Sequence, residues 1–294
     1  MEYRITKQQL ENDLLYDTLA ALKECMDKHN LPLCIVGAQA RDIALKICDI
    51  EESIRRTMDL DVAIAVENWQ MFEQISQTLE SKNFKRIART QKFVYLINKY
   101  EVDIVPFDGV AKDEKICWPP DGNPVMSVKG FKNIMQASDT IVIDNSIIIR
   151  IPTLCGLFFT KLDAWIDRHD STDKDACDML FIIQNYFTSQ INSNIIPPKI
   201  IDLSTDDNEL EILGAQWLAY DAKKILTIEQ IDYFNNLIFN ELKMCEKSEL
   251  IKQLIKNYKI SRTYETGRYD EIYYDKSCEI LKNLVEVLSK DESY

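Results

Sequence analysis

The chain has 294 residues, 46% hydrophobic and 28% charged, which is long enough for two domains or one elaborated domain. Its formal net charge of −13 argues against a broad basic nucleic-acid surface: residues 195–294 hold 13 basic and 19 acidic side chains, and the rest 22 and 29. No run has the length of a membrane-spanning helix and the N-terminus does not read as a signal peptide, while eight scattered cysteines and two histidines predict reduced thiols, no zinc site and a cytoplasmic protein.

Residues 7–29 carry Leu10, Leu14, Leu15, Leu19, Leu22 and Met26 along one stripe, which predicts a helix. Leu33 to Val36 is a short apolar strand that runs into Gly37-Ala38. A helical pattern follows over 38–48, with Ala40, Ile43, Ala44 and Ile47 at helical spacing. A strand turning through glycine into a helix presents backbone N–H groups and the positive end of a dipole, which suits a phosphate. Asp49 to Ser53 reads as an acidic loop.

Asp59 and Asp61 stand at the head of the apolar run 60–66, which reads as a buried strand. Alternation puts both carboxylates on one face with Ala63 and Ala65, and Leu60, Val62, Ile64 and Val66 on the core face. Such a pair either lies solvated at a strand end or holds a hard divalent cation. A helix is predicted over 67–81, then a meander with strands near 85–89, 93–98 and 101–106. Asp103 is a charge inside the last of these, and Pro106 predicts that the strand ends there or lies at an edge. Lys82, Lys85, Arg86, Arg89 and Lys92 cluster around the turn before it, either as a charged hairpin edge or as a local phosphate track.

Residues 108–127 read as a loop, since 118–124 is rich in turn chemistry. Strands near 141–144 and 147–151 flank a turn at Asn145-Ser146, and Pro152 suits the first turn of a helix over 153–168. Lys161, Ala164, Trp165 and Arg168 share one face of that helix, an arrangement that also describes an ordinary basic edge. Asp175 and Asp178 lie on the next helix, where an acidic first turn is ordinary dipole chemistry. Trp118 and Trp165 read as packing residues that could also line a base pocket. Ile196-Pro197-Pro198 reads as a linker. Helices are predicted over 207–224, 227–243, 248–258 and 270–289, with Gly267 in a polar turn. The domains expected are therefore 1–194 and a helical 195–294.

A glycine turn, Asp-x-Asp on the next strand and a later strand aspartate resemble the DNA polymerase β-like nucleotidyltransferase superfamily. The stretches Gly37-Ala38…Arg41-Asp42, Arg56 to Asp61, Val102 to Phe107, Trp118-Pro119-Pro120, Lys161 to Trp165 and Lys174 to Asp178 resemble its AbiEii/AbiGii-type toxins over roughly residues 15–190. Ala38 departs from the second glycine or serine of many relatives and offers no hydroxyl, leaving phosphate contact to the backbone.

The resemblance implies an α+β fold, a mixed sheet flanked by helices, followed by a helical C-terminal domain. It implies Asp59, Asp61 and Asp103 as catalytic ligands of two Mg²⁺ ions. Gly37, Ala38, Arg41, Lys161, Arg168, Asp175 and Asp178 would form the nucleotide site, with Lys161 as a triphosphate contact. Asp175 and Asp178 would order Lys161 or Arg168, or add a fourth acid. The expected substrate is an NTP and the expected acceptor RNA or tRNA, for a toxin neutralised by a cognate antitoxin and with no membrane partner. A small hydroxylated acceptor, or a non-catalytic NTP-binding regulator, stays open beside it.

Overall fold

The computed structural model describes residues 1–50, 59–88, 90–201, 203, 209–261 and 269–290. Arg56 to Met58, Arg89, the 51–53 part of the acidic loop, the start of the helix expected from 207, and Gly267 lie outside them. The architecture is mixed α/β, and the chain divides into two compact units. Met1–Ile47 and Glu51–Leu157 form the first; Cys48–Ile50 and Phe158–Tyr294 form the second.

The first unit opens with β1 (Glu2–Ile5), α1 (Lys7–Leu10), α2 (Asp13–Lys28), β2 (Cys34–Val36) and α3 (Gly37–Ile47). It continues through β3 (Asp59–Val66), α4 (Trp69–Ser81), β4 (Phe84–Arg86), β5 (Lys92–Tyr95) and β6 (Tyr100–Asp108). β7 (Ala111–Lys112), β8 (Lys115–Cys117), β9 (Val125–Ser127), α5 (Phe131–Gln136), β10 (Asp139–Ile143) and β11 (Ile147–Ile151) complete it. Among the described residues the main sheet has eight strands in the order β1-β10-β11-β2-β3-β6-β5-β4, and β7-β8-β9 form a small second sheet. The central pair β3 and β6 is parallel, with β2 antiparallel on one side and β5 on the other. Leu60, Val62, Ile64 and Val66 are buried, as their alternation predicts.

Several differences from the sequence-based expectation have local causes. The helix expected over 7–29 is broken, because Glu11 adopts a left-handed conformation (φ 52°) and Asn12 caps a new helix through the Leu15 amide. β1 is too short and polar to show a period, and its parallel pairing with β10 defines it. The stretch expected to be a loop holds the short strands β7 to β9, and Trp118 packs there against Trp69 and Phe72. The turn between β10 and β11 falls on Asp144 and Asn145, both at positive φ, one residue earlier than expected. β6 continues through Pro106 to Asp108, but β5 pairs with it only as far as Asp103, so Pro106 lies on an edge portion of the strand. Cys34 and Cys155 are buried, whereas Cys48 and Cys177 are partly exposed.

The second unit is helical: α6 (Leu154–Arg168, whose first turn belongs to the first unit), α7 (Lys174–Asn192), α8 (Leu210–Ile225), α9 (Ile228–Met244), α10 (Glu249–Ser261) and α11 (Tyr269–Ser289). The expected boundary at 194/195 differs from this division. The apolar face of α6 packs among the later helices: Phe159 meets Phe234 of α9 at 5.1 Å between ring centroids, and Trp165 Nε1 donates to Gln253 Oε1 of α10 at 2.9 Å. Gly214 lets α8 approach α7, since a Cβ there would stand 2.5 Å from the Ile183 carbonyl oxygen. None of the described helices is long and apolar enough to cross a membrane.

Candidate active site

The site is built by strand register. Asp61 of β3 pairs directly with Asp103 of β6, and Asp59 with Glu101. Paired residues of neighbouring strands share a face about 4.8 Å apart, so Asp59, Asp61, Glu101 and Asp103 project from the same side. On the other side of β3, Asp61 pairs with Val36, the last residue of β2. The chain must then leave the sheet at once, and Gly37 does so at φ +69° to begin α3. A Cβ at Gly37 would fall on Asp61 Oδ2. The turn is thus glycine both for its backbone conformation and for the space the carboxylate occupies.

Gly37→Ala is accordingly expected to cost about 1–2 kcal/mol from the left-handed backbone alone, and to displace Asp61 as well. Thermal unfolding reads the first effect. A wild-type Tm in this variant would show that the turn relaxes without strain.

Asp103 is partly buried, its side chain 25% exposed, with Lys92 Nζ 3.3 Å from Oδ2. Burial pushes its carboxyl above the ordinary aspartate value. Lys92 opposes that push, while Asp59 and Glu101 add to it through like charge. A carboxyl raised in the folded state weakens folding as pH rises from the unfolded value of 3.8 through the folded one. Asp103→Asn removes this term, so its stability relative to wild type is expected to improve between pH 3 and pH 7. Chemical denaturation at the two pH values measures it, and a relative gain at the acid end would reverse the sign.

The donor set suits a hard divalent cation, being carboxylate oxygens alone on one face. Among the described residues no three His, Cys, Asp or Glu side chains converge into a formed metal site. Asp103 is turned instead to Lys92. The backbone positions therefore fit such an ion, and the carboxylates have to rotate to hold it.

Behind the sheet, Gln39 Nε2 of α3 donates to Tyr100 Oη at 2.9 Å, tying the helix after the glycine turn to β6. Burial raises the Tyr100 phenol, which keeps it a neutral hydrogen-bonding group. Ala38 is buried. Arg41 is fully buried, and its Nε donates to Asp42 Oδ1 at 2.8 Å.

The remaining expected site residues belong to the second unit and form a network of their own. Lys161 Nζ of α6 lies 2.7 Å from Asp178 Oδ2 and 3.5 Å from Asp175 Oδ1 of α7. Arg168 grips Asp175 with two donors, Nε to Oδ2 at 2.6 Å and Nη2 to Oδ1 at 2.7 Å. Lys161, Asp175 and Asp178 are buried, whereas Arg168 is 51% exposed. Asp175 and Asp178 thus hold the two cations in place. Trp165, stacked on His169 at 4.4 Å and bonded to Gln253, is a packing residue, as is Trp118.

Two residues escaped notice in the sequence as members of this face: Lys92, opposite Asp103, and Lys85. Their signal was present in the alternation of the hairpin, which sorts the basic run onto two faces once the register is known.

No protein-family model and no curated protein matches this chain. Among solved structures it is similar to the antibiotic-resistance factor ANT(2'')-Ia, at 15% identity over 62% of this chain and 91% of that one, with a TM-score of 0.34. It is also similar to an antigenic nucleotidyltransferase-like protein from Paracoccidioides brasiliensis, at 15% identity over 75% and 90% of the chains, with a TM-score of 0.39. Likeness at this level carries no functional argument.

Proposed function

We propose that this protein is a nucleotidyltransferase that moves a nucleoside monophosphate from an NTP to an acceptor hydroxyl and releases pyrophosphate. The observation that carries the reading is the pairing of Asp61 with Asp103 across parallel strands, with Asp59 on the same face and Gly37 making room for Asp61. Bound Mg²⁺, two ions in the full reading, would supply the positive charge that the triphosphate and the activated hydroxyl need. Asp59, Asp61 and Asp103 would hold it, and the backbone from Gly37 through Ala38 would receive the β and γ phosphates.

In the reaction the acceptor oxygen bonds to the α-phosphorus, the bond from that phosphorus to the α–β bridging oxygen breaks, and pyrophosphate leaves with the electron pair. Asp103, on the same face as Asp59 and Asp61, would accept the hydroxyl proton. Within the second unit, Asp175 orients the half-exposed Arg168, and Asp175 and Asp178 together hold Lys161.

The proposed acceptor is RNA, with tRNA the first to test. A role as a toxin held by an antitoxin belongs to the family resemblance. The net charge of −13 leaves a second acceptor class open, a small hydroxylated molecule. The test is incubation with Mg²⁺, each α-labelled NTP in turn and total cellular RNA, resolved on a denaturing gel. Label entering a tRNA-sized band is expected. NTP binding with no label in RNA would leave the small-molecule acceptor or a regulator, and absence of NTP binding would overturn the reading.

A further inference from the structure

The basic run between α4 and β6 is divided by the pleat. β4 and β5 pair as Phe84 with Tyr95, Lys85 with Val94 and Arg86 with Phe93, and β5 pairs Lys92 with Asp103. Arg86 therefore shares the back face with Phe93 and the helices. It lies 2.8 Å from Glu73 of α4, with its guanidinium over the Phe72 ring. Lys82 lies 2.5 Å from Glu24 of α2. Arg86 fastens β4 to α4, and Lys82, at the end of α4, fastens that helix to α2.

Lys85 and Lys92 point the other way, onto the face that carries the three aspartates. Lys85 is exposed and makes no ion pair among the described residues, and Val94 separates it from Glu101. Lys92 is 53% exposed, and its partner is Asp103. Under the reading proposed above, that carboxylate is committed to the metal, so in the loaded site the Lys92 ammonium needs a new anion. The two lysines are diagonal neighbours on the edge strand β4 and the adjoining β5, about 7–8 Å apart. This is of the order at which successive phosphates recur along an extended strand. The face is thus bipolar, acidic on its inner strands and basic at its edge.

The geometry points to Lys85 and Lys92 as an acceptor-phosphate clamp, and so to a single-stranded RNA end as the acceptor that lies across β4 and β5. The inference rests on the nucleotidyl-transfer reading for its chemistry, but the clamp has its own binding readout. It also accounts for RNA binding by an acidic protein: the contact is confined to a few phosphates, with no need of a broad basic surface.

The test is the salt dependence of binding of a fluorescent single-stranded oligoribonucleotide, in Mg²⁺, between 50 and 200 mM salt. Each phosphate contact on a single strand contributes a slope of about −0.7 in log K against log salt. Lys85→Ala and Lys92→Ala are each expected to flatten the slope by about 0.7. The double variant should lose about sevenfold of the salt sensitivity over that range. Lys82→Ala, on the back face, should keep the wild-type slope. Unchanged slopes in both single variants, or no oligoribonucleotide binding by the wild type, would overturn the clamp. Labelled NTP binding by the wild type separates the two readings. If it is present while the slopes stay unchanged, the clamp alone fails. If it is absent while binding still depends on the lysines, the RNA site survives and the transfer reading falls.

Discussion

Asp61→Asn is expected to lower nucleotidyl transfer on the order of 10³-fold or more while the fold is retained, the scale lost when a preorganised charge is removed from a reacting centre. Asp61 occupies the middle of the site. It pairs with Asp103 on one side and Val36 on the other, and its carboxylate fills the space beside Gly37. Asparagine keeps that shape and removes the charge. The variant should therefore stay folded. Transfer is read with α-labelled NTP and folding by circular dichroism. Wild-type transfer in a folded Asp61→Asn protein would remove the three-aspartate site from the chemistry.

Asp178→Ala is expected to be the most damaging of these substitutions to stability. It leaves Lys161 buried on α6 with a 3.5 Å contact to Asp175 in place of its 2.7 Å partner. Stranding a buried charge costs about 3–5 kcal/mol, on the order of 10 °C in Tm for a unit of this size. The double variant Asp178→Ala, Lys161→Met should recover part of that loss, because it removes the uncompensated charge along with its partner. Thermal melts of the three proteins form the cycle, and a double variant no better than Asp178→Ala would point to lost packing instead.

Asp175 adds a pH signature to the same network. Burial alone would raise its carboxyl, but the Arg168 hydrogen bond and the charges of Lys161 and Arg168 outweigh it and hold the carboxyl below its ordinary value of 3.8. Its contribution is therefore complete above pH 3.8 and is lost as pH falls through the folded value.

Much of the site could be read in one dimension because strand alternation is a local rule. Asp59 and Asp61, two residues apart in an apolar run, had to share a face, and Gly37 between strand and helix had to be a turn. The helices α8 to α11 were equally legible from their periods. What periodicity cannot supply is the identity of the neighbour. The apolar stripe of α6 announced a buried face, but the contacts with Phe234 and Gln253 placed it with the C-terminal helices. Arg41 read as a phosphate contact from its motif, and its full burial beside Asp42 was not visible in the sequence.

The sequence by itself determined which residues carry charge in the sheet and on which side of each strand they stand, since both follow from a two-residue repeat. Only the tertiary structure decided that Asp61 stands beside Asp103, that Lys92 stands opposite it, and that Lys85 and Arg86 part to opposite faces. Those relations depend on the register between strands, which is set by side-chain packing between segments distant in the chain.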